Sequence, residues 1–194
     1  MELSIGFLAS HNGSNVRAIL ENIKSGRLEA KASVIITNNT TAGVIQIADE
    51  YSIPSYCFNK NNSQDPWQKV LNKLKEHKVN LGVLAGFMKE VPQFVLSAFS
   101  PNYFLNIHPA LLPKYAGLYG IDVHRAVIQS RDKESGATVH IVNEEYDRGK
   151  ILTQLKVPRY NTDTPETLAA RVLAAEHILY SYTLAEIQKG RIIL

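Results

Sequence analysis

The sequence has very little cysteine and only a small net charge. Its 194 residues contain one cysteine, Cys57, which excludes an internal disulfide framework and fits a reducing compartment. Cys57 stands in an apolar, strand-like run, which favours a buried structural thiol over a nucleophile. The formal net charge of +3 is too small to indicate nucleic-acid binding by itself.

Long apolar runs are also missing. No segment approaches the roughly 18 consecutive apolar residues that a membrane span needs. The first apolar run, residues 3–9, has no basic stretch before it and is followed by a polar glycine turn, unlike a signal peptide. We therefore expect a cytoplasmic protein that does not enter a membrane.

Two nucleotide-binding motifs and any metal-ligand spacing are absent from the sequence as well. The first glycine turn matches neither G-x-G-x-x-G nor a P-loop with its lysine. His108, His124 and His140 are not spaced as a metal-binding set, so we predict no metal. The chain contains no internal repeat or low-complexity tract.

What is present is an alternation of apolar and amphipathic stretches, typical of an α/β protein. With 45% hydrophobic and 20% charged residues, the chain suits a single globular domain, 1–194. The alternation predicts a doubly wound, mostly parallel sheet. The predicted strands are 3–9, 32–37, 55–58, 81–85 and 103–107, and the predicted helices are 15–23, 43–51, 65–77 and 92–99.

The pattern changes after residue 120. A helix is predicted over 120–130, and the runs 137–142 and 151–157 are too close together for a helix between them. They should therefore pair as an antiparallel extension. A long helix follows to about residue 188, with Thr164 as its N-cap and Pro165 at its first position. Its buried stripe should consist of Leu168, Val172, Ala175 and Leu179.

The turn after the first strand, residues 9–15, exposes unpaired backbone N–H groups at the start of a helix. The helix dipole favours an anion there, so Gly13, Ser14 and Asn15 form a candidate site for a single phosphate group. The alternative is a plain turn in which Ser14 or Asn15 caps the helix.

Asn106 lies near the end of the predicted strand 103–107, and His108 directly follows that strand. Residues two apart on a strand point to the same face, and Pro109 then stops the strand. A carboxamide and an imidazole side by side suit polarising a carbonyl and moving a proton. In open α/β sheets, ligands bind at the carboxyl ends of the strands. The alternative is a structural histidine with its hydrogen bonds satisfied.

Two further segments are candidates for the same site. Asp147 follows the strand 137–142 and could accept a proton from an imidazole, although Glu144 and Glu145 compete for that role. Gly86 permits a close backbone approach after the strand 81–85. The adjacent Phe87-Met88 could wall a flat aromatic ligand or simply pack in the core.

Together these residues resemble the folate-dependent formyltransferase family, and within it the phosphoribosylglycinamide formyltransferases of purine synthesis. The resemblance covers essentially the whole chain. Its most specific segments are Leu-Ala-Gly-Phe-Met at 84–88 and Asn-Ile-His-Pro-Ala-Leu-Leu-Pro-Lys-Tyr at 106–115. It implies a Rossmann-like formyltransferase fold whose 1–100 half binds phosphate and whose 101–194 half carries the folate and catalytic residues.

The resemblance also implies roles for individual residues. Asn106 and His108 would stabilise an oxyanion, and Asp147 would hold His108 charged. The phosphorylated acceptor would contact Asn12, Gly13, Ser14, Asn15 and Glu176. The co-substrate 10-formyltetrahydrofolate would contact Gln64, Met88, Lys89, Glu90, Val91, Asn106, Asn143 and Glu144.

The chain departs from the family pattern at His11, Gln64 and Arg148. The resemblance implies small-molecule substrates, no nucleic acid or membrane partner, and a monomer or homodimer. Within the superfamily, a methionyl-tRNA formyltransferase would need a further nucleic-acid-binding domain, and a formyltetrahydrofolate deformylase would use water as acceptor. A phosphate- or nucleotide-binding module without catalysis is the alternative outside it.

Overall fold

The computed structural model of the chain describes residues 2–99 and 103–194. The predicted division between residues 100 and 101 lies outside the described residues. Within them the elements are β1 Leu3–Leu8, α1 Ser14–Lys24, β2 Ala30–Thr37, α2 Val44–Glu50, β3 Ser55–Cys57, α3 Pro66–Glu76, β4 Leu81–Leu84, α4 Gln93–Leu96, β5 Phe104–His108, α5 Ile121–Gln129, β6 Glu134–Ile141, β7 Ile151–Pro158 and α6 Pro165–Gln188.

The strands form one seven-stranded sheet in the order β3-β2-β1-β4-β5-β6-β7. The first five strands are parallel, and β6 and β7 join antiparallel, which confirms the predicted mostly parallel sheet with an antiparallel extension. The chain moves outward from β1 to β3 on one side and returns to β4 on the other. The carboxyl ends of β1 and β4 therefore flank the point where the strand order reverses, a favoured ligand position.

Helices cover both faces of the sheet because successive strand residues are buried on opposite sides. Phe7 packs into one apolar cluster and Leu8 into the other, and Ile35 and Ile36 divide in the same way. The first cluster contains residues of α1, α2, α5 and α6. The second contains residues of α3 and α4. Continuously apolar strands are what a sheet buried on both faces requires.

The long helix α6 begins as predicted. The Thr164 hydroxyl accepts the Thr167 N–H, the Thr167 hydroxyl accepts the Thr164 N–H, and Pro165 occupies the first turn. All four residues of the predicted stripe are buried: Leu168, Val172, Ala175 and Leu179. Among the described residues no helix combines the length and apolar character needed to cross a membrane.

Cys57 is less enclosed than its apolar run suggested. It lies on the short strand β3 at the edge of the sheet and is only half-buried. An edge strand has a neighbour on one side only, which leaves part of its surface uncovered.

Candidate active site

The turn between β1 and α1 requires glycine at its centre. Gly13 is the N-cap of α1 with a φ of 73°, and no side chain caps the helix. A Cβ on Gly13 would lie 2.7 Å from Val44 Cγ2, so a larger residue would clash. The alternative in which Ser14 or Asn15 caps the helix is wrong, because the helix starts at Ser14. The first N–H groups of α1 are therefore left without a side-chain acceptor.

Ser10 ties this turn to the segment that follows β4. Its N–H donates to the Gly86 carbonyl at 3.2 Å, and the Met88 N–H donates to its hydroxyl at 3.0 Å. The Ser10 hydroxyl in turn donates to Asn38 Oδ1 at 2.6 Å. Gly86 has a φ of 65°, the left-handed conformation that glycine adopts readily. The loops after β1 and β4 are thus held together as two walls of one cleft.

Asn106 and His108 lie on β5, whose carboxyl end opens into the same cleft. The carbonyls of Leu84, at the end of β4, and of Leu105, near the start of β5, both accept from the Tyr180 hydroxyl at 3.0 Å. Tyr180 is completely buried on α6. This contact ties α6 to the two neighbouring strands that present the site.

Asp147 is the acid that reaches His108. Its Oδ2 lies 3.2 Å from His108 Nδ1 and accepts the Gly117 N–H at 3.1 Å, and its Oδ1 lies 3.5 Å from His140 Nε2. Burial by itself raises the pKa of Asp147, but the His108 and His140 rings and the Gly117 N–H together hold it well below its ordinary value. Asp147 is therefore a carboxylate at neutral pH.

Glu144 and Glu145 do not share this position. Both are exposed, whereas the Asp147 side chain is buried against the two imidazoles. Of these three acids, Asp147 is the one that contacts His108.

His140 is a site residue that the sequence reasoning missed, since it was considered only as a metal ligand. It lies opposite Asn106 in the antiparallel pairing of β5 with β6. Its Nε2 is 3.1 Å from Asn106 Nδ2, and its Nδ1 is 3.1 Å from the Ile141 carbonyl. The ring therefore braces both the Asn106 carboxamide and the Asp147 carboxylate.

Two cavities meet at these side chains. The first, of about 390 Å³, lies between the loop after β4 and the loop after β6, and we call it the loop cavity. The second, of about 460 Å³, lies over the turn between β1 and α1, and we call it the turn cavity. Four residues line both cavities: Phe87, Asn106, Tyr146 and Asp147. Two different molecules bound side by side would both contact this shared wall.

Two further groups line the turn cavity: the hydrogen-bonded pair of Asn15 and Glu176, and the imidazole of His124. Asn15 Nδ2 donates to Glu176 Oε2 at 2.6 Å, and both residues are buried. Burial raises the pKa of Glu176 to about 7, and the Asn15 contact only partly opposes it. His124 also lines this cavity, and burial together with the nearby His108 lowers its pKa to about 4. His124 is therefore a neutral imidazole at neutral pH.

His108 presents one ring nitrogen to the site. Its Nδ1 is occupied by Asp147, while its buried Nε2 has no hydrogen-bond partner among the described residues. A buried polar atom without a partner is costly unless a ligand satisfies it. A carbonyl or oxyanion in the shared part of the cavities would satisfy it.

A family model for formyl transferases matches residues 3–184 of the chain. The chain belongs to the formyl transferase family. This assignment agrees with the arrangement above, in which donors for a carbonyl oxygen lie between two ligand cavities.

The sequence of this formyl transferase is similar to those of phosphoribosylglycinamide formyltransferases. It is 40% identical, over 97% of its length and 66% of the relative's, to "Phosphoribosylglycinamide formyltransferase, chloroplastic" of Arabidopsis thaliana. It is 36% identical, over 97% of its length and 88% of the relative's, to phosphoribosylglycinamide formyltransferase of Haemophilus influenzae. The chain thus spans slightly less than two thirds of the plant relative.

A solved structure gives the same result for the fold. Glycinamide ribonucleotide transformylase 1 from Symbiobacterium toebii superposes with a TM-score of 0.92 at 33% identity, covering 100% of this chain and 91% of that one. The expected formyltransferase fold is confirmed.

The structure brings together nearly all the binding residues predicted for this formyl transferase. The turn cavity is lined by all the residues predicted for the acceptor, which are Asn12, Gly13, Ser14, Asn15 and Glu176. Met88, predicted to contact the folate, lines the turn cavity and not the loop cavity. The loop cavity is lined by Lys89, Glu90, Val91, Asn143 and Glu144.

Gln64 is the exception. It lines a separate surface depression together with Asp65 and Lys69 and reaches neither cavity. The Asn62 amide, in the segment before α3, donates to the Cys57 carbonyl at 3.0 Å, which holds this segment against β3 at the edge of the sheet. In the part of the chain that the structure describes, no group of three or more His, Cys, Asp or Glu residues is placed to hold a metal ion.

Proposed function

We propose that this formyl transferase moves the formyl group of 10-formyltetrahydrofolate to the primary amine of 5′-phosphoribosylglycinamide, a step of purine biosynthesis. The observation that carries the proposal is the junction of two cavities at Asn106 and Asp147, with His108 beside Asp147 in the turn cavity. One cavity holds the formyl donor and the other the acceptor, and the shared side chains contact the carbon that is transferred. The substrate class is inferred from the relatives, which are phosphoribosylglycinamide formyltransferases.

The acceptor binds in the turn cavity. Its phosphate lies against the N–H groups of Gly13, Ser14 and Asn15, where the dipole of α1 favours an anion. Its ribose hydroxyls lie near Glu176, whose carboxyl is held by Asn15. This places the glycinamide amine toward the shared wall.

The formyl donor binds in the loop cavity. Residues 89–91 and the loop containing Asn143 and Glu144 surround its pterin ring. Phe87, buried at the junction, packs beside it. These binding residues are far apart in the sequence but close in space, because β4 and β6 end near the same part of the sheet.

The chemistry is a direct attack of the acceptor amine on the formyl carbon. A new C–N bond forms, the formyl oxygen becomes an oxyanion, and the bond from the formyl carbon to N10 of the folate then breaks. One amine proton leaves and one proton is delivered to N10, so no covalent enzyme intermediate is required. Donors fixed at the oxyanion, Asn106 Nδ2 and protonated His108 Nε2, contribute about 2.7–4 kcal/mol each to lowering the barrier.

Asp147 sets the orientation of the His108 ring. As a carboxylate 3.2 Å from His108 Nδ1, it orients the imidazole so that Nε2 faces the oxyanion. Holding two substrates in one orientation at this point supplies a further part of the rate enhancement.

One incubation tests this function against its alternatives. We expect 10-formyltetrahydrofolate to lose its formyl group only when phosphoribosylglycinamide is present, with formylated acceptor as product. Loss of formyl without acceptor would indicate a deformylase that uses water. No loss in either condition, with ligand still bound, would indicate a binding module.

We further propose that the enzyme acts on small molecules alone, without nucleic acid or membrane, as a monomer or homodimer in the cytoplasm. The single half-buried thiol, Cys57, fits a reducing compartment. Sedimentation with and without substrates distinguishes the two assembly states.

A further inference from the structure

The turn cavity has an unusual charge for a site that accepts a phosphate. Of the described residues that line it, none is a lysine or an arginine, whereas two are acidic, Asp147 and Glu176. The nearest arginine on α1, Arg17, makes two hydrogen bonds to Glu50 at 2.9 Å and 2.6 Å. A phosphate in this cavity must therefore be neutralised by the helix dipole and by histidine.

Two of the three histidines that line the turn cavity are not available to neutralise a phosphate. His108 is buried, and its Nδ1 lies 3.2 Å from the Asp147 carboxylate. His124 is buried, and its pKa, lowered mainly by desolvation to about 4, keeps it neutral. Only His11 remains, and its side chain is exposed at the mouth of the cavity.

The backbone fixes His11 beside the phosphate-binding turn. Its carbonyl accepts the Val44 N–H at 3.2 Å, which anchors the residue two positions before Gly13. Its ring lies over Gly86, since the His11 Cδ2 atom is 3.9 Å from the position of a Cβ on that glycine. Among the described residues none hydrogen-bonds the His11 ring, so both ring nitrogens are available to a ligand.

An independent observation indicates that the turn is built for a ligand. Asn15, 7% exposed, lines the same cavity and donates through Nδ2 to Glu176. Its buried Oδ1 has no hydrogen-bond partner among the described residues. A buried acceptor of this kind is satisfied when a hydroxyl or N–H of a bound molecule reaches it.

We propose that His11 is a phosphate-binding residue whose imidazolium neutralises the phosphate of the acceptor substrate. The role rests on the proposed function, because it concerns the phosphate of phosphoribosylglycinamide. Histidine can carry this charge near neutral pH, and hydrogen bonds from a charged donor to a phosphate oxygen are stronger than those from neutral donors. His11 thereby supplies the cation that no lysine or arginine supplies in this cavity.

The test compares His11→Asn, which keeps a hydrogen-bond donor but removes the charge, with His11→Lys, which keeps a charge. For His11→Asn we expect the KM for phosphoribosylglycinamide and the Ki of inorganic phosphate as a competitive inhibitor both to rise about threefold to tenfold, with kcat unchanged. His11→Lys should return both constants toward the wild-type values. His77→Asn, at the C-cap of α3 and outside both cavities, is the matched control and should change neither.

Three results would overturn the proposal. The first is His11→Asn with unchanged KM and unchanged phosphate inhibition. The second is a fall in kcat at constant KM. The third is His11→Lys as weak as His11→Asn. If the wild-type enzyme turns over phosphoribosylglycinamide while His11→Asn binds phosphate normally, only the role of His11 fails. If the wild-type enzyme does not use this acceptor, the proposed function fails and His11's role fails with it.

Discussion

Replacing Glu176 by glutamine should make the protein more stable at alkaline pH. Glu176 is 8% exposed, and its carboxyl contacts the Asn15 amide rather than a cation. Desolvation raises its pKa from 4.5 to about 7. At 1.36 kcal/mol per pKa unit, the ionised side chain destabilises the folded state by about 3 kcal/mol once the pH exceeds 7.

The sign follows from proton binding. Between pH 4.5 and about 7 the unfolded chain has released the Glu176 proton while the folded protein still holds it. The unfolded state therefore binds fewer protons, and the free energy of unfolding falls as the pH rises through this window. Glutamine cannot ionise, yet its Oε1 still accepts the Asn15 N–H, so Glu176→Gln removes the loss without removing the contact.

Urea unfolding at pH 5 and pH 8 measures the effect. The stability difference between Glu176→Gln and wild type should grow by about 2 to 3 kcal/mol in favour of the variant from the lower to the higher pH. Glu186→Gln, on the same helix, is the control with opposite sign, because the Arg191 hydrogen bond lowers the pKa of Glu186. A difference between Glu176→Gln and wild type that does not change with pH would refute the reasoning.

Three other substitutions probe the site and its support. His108→Ala should lower kcat by about 10²–10³-fold with the fold intact by circular dichroism, and undiminished turnover would exclude His108 from the reaction. Asp147→Asn should lower kcat by about 10²-fold. Because folding lowers the pKa of Asp147, its carboxylate stabilises the folded protein above the ordinary pKa of an aspartate, and this stabilisation is lost only in strong acid. Acid unfolding of wild type and Asp147→Asn, followed side by side, measures this loss. Tyr180→Phe should lower the free energy of urea unfolding by about 1–2 kcal/mol while kcat changes less than tenfold. A larger loss of kcat would show that β4 and β5 move when the hydroxyl is removed.

Much of the fold could be predicted because its signals are local. Continuous apolar runs such as 81–85 gave buried parallel strands, and the short gap between 137–142 and 151–157 left an antiparallel pair as the simplest solution. The start of α6 was predictable from Thr164 and Pro165, since capping chemistry depends on adjacent residues. The start of α1 was not, because Gly13 replaces a side-chain cap and its conformation depends on contact with Val44.

The candidate site was predictable where its residues share one strand. Asn106 and His108 are two apart, so their common face follows from strand geometry. His140 was missed because its place depends on register: only the pairing of Asn106 with His140 across β5 and β6 shows that the two side chains meet. Tyr180 carries no such signal, since it reaches the site from a helix 75 residues after Leu105.

The helix α6 holds two parts of the cleft on one rigid rod. Glu176 reaches Asn15 at the turn, and Tyr180, one helical turn later, reaches Leu84 at the end of β4 and Leu105 on β5. Inserting a single residue between the N-terminus of α6 and Glu176 would rotate both side chains by about 100° out of the cleft. An inserted residue is therefore compatible with the site before Thr164 or after Tyr180 but not between them, and this part of α6 keeps the distance between the turn and the two strands constant.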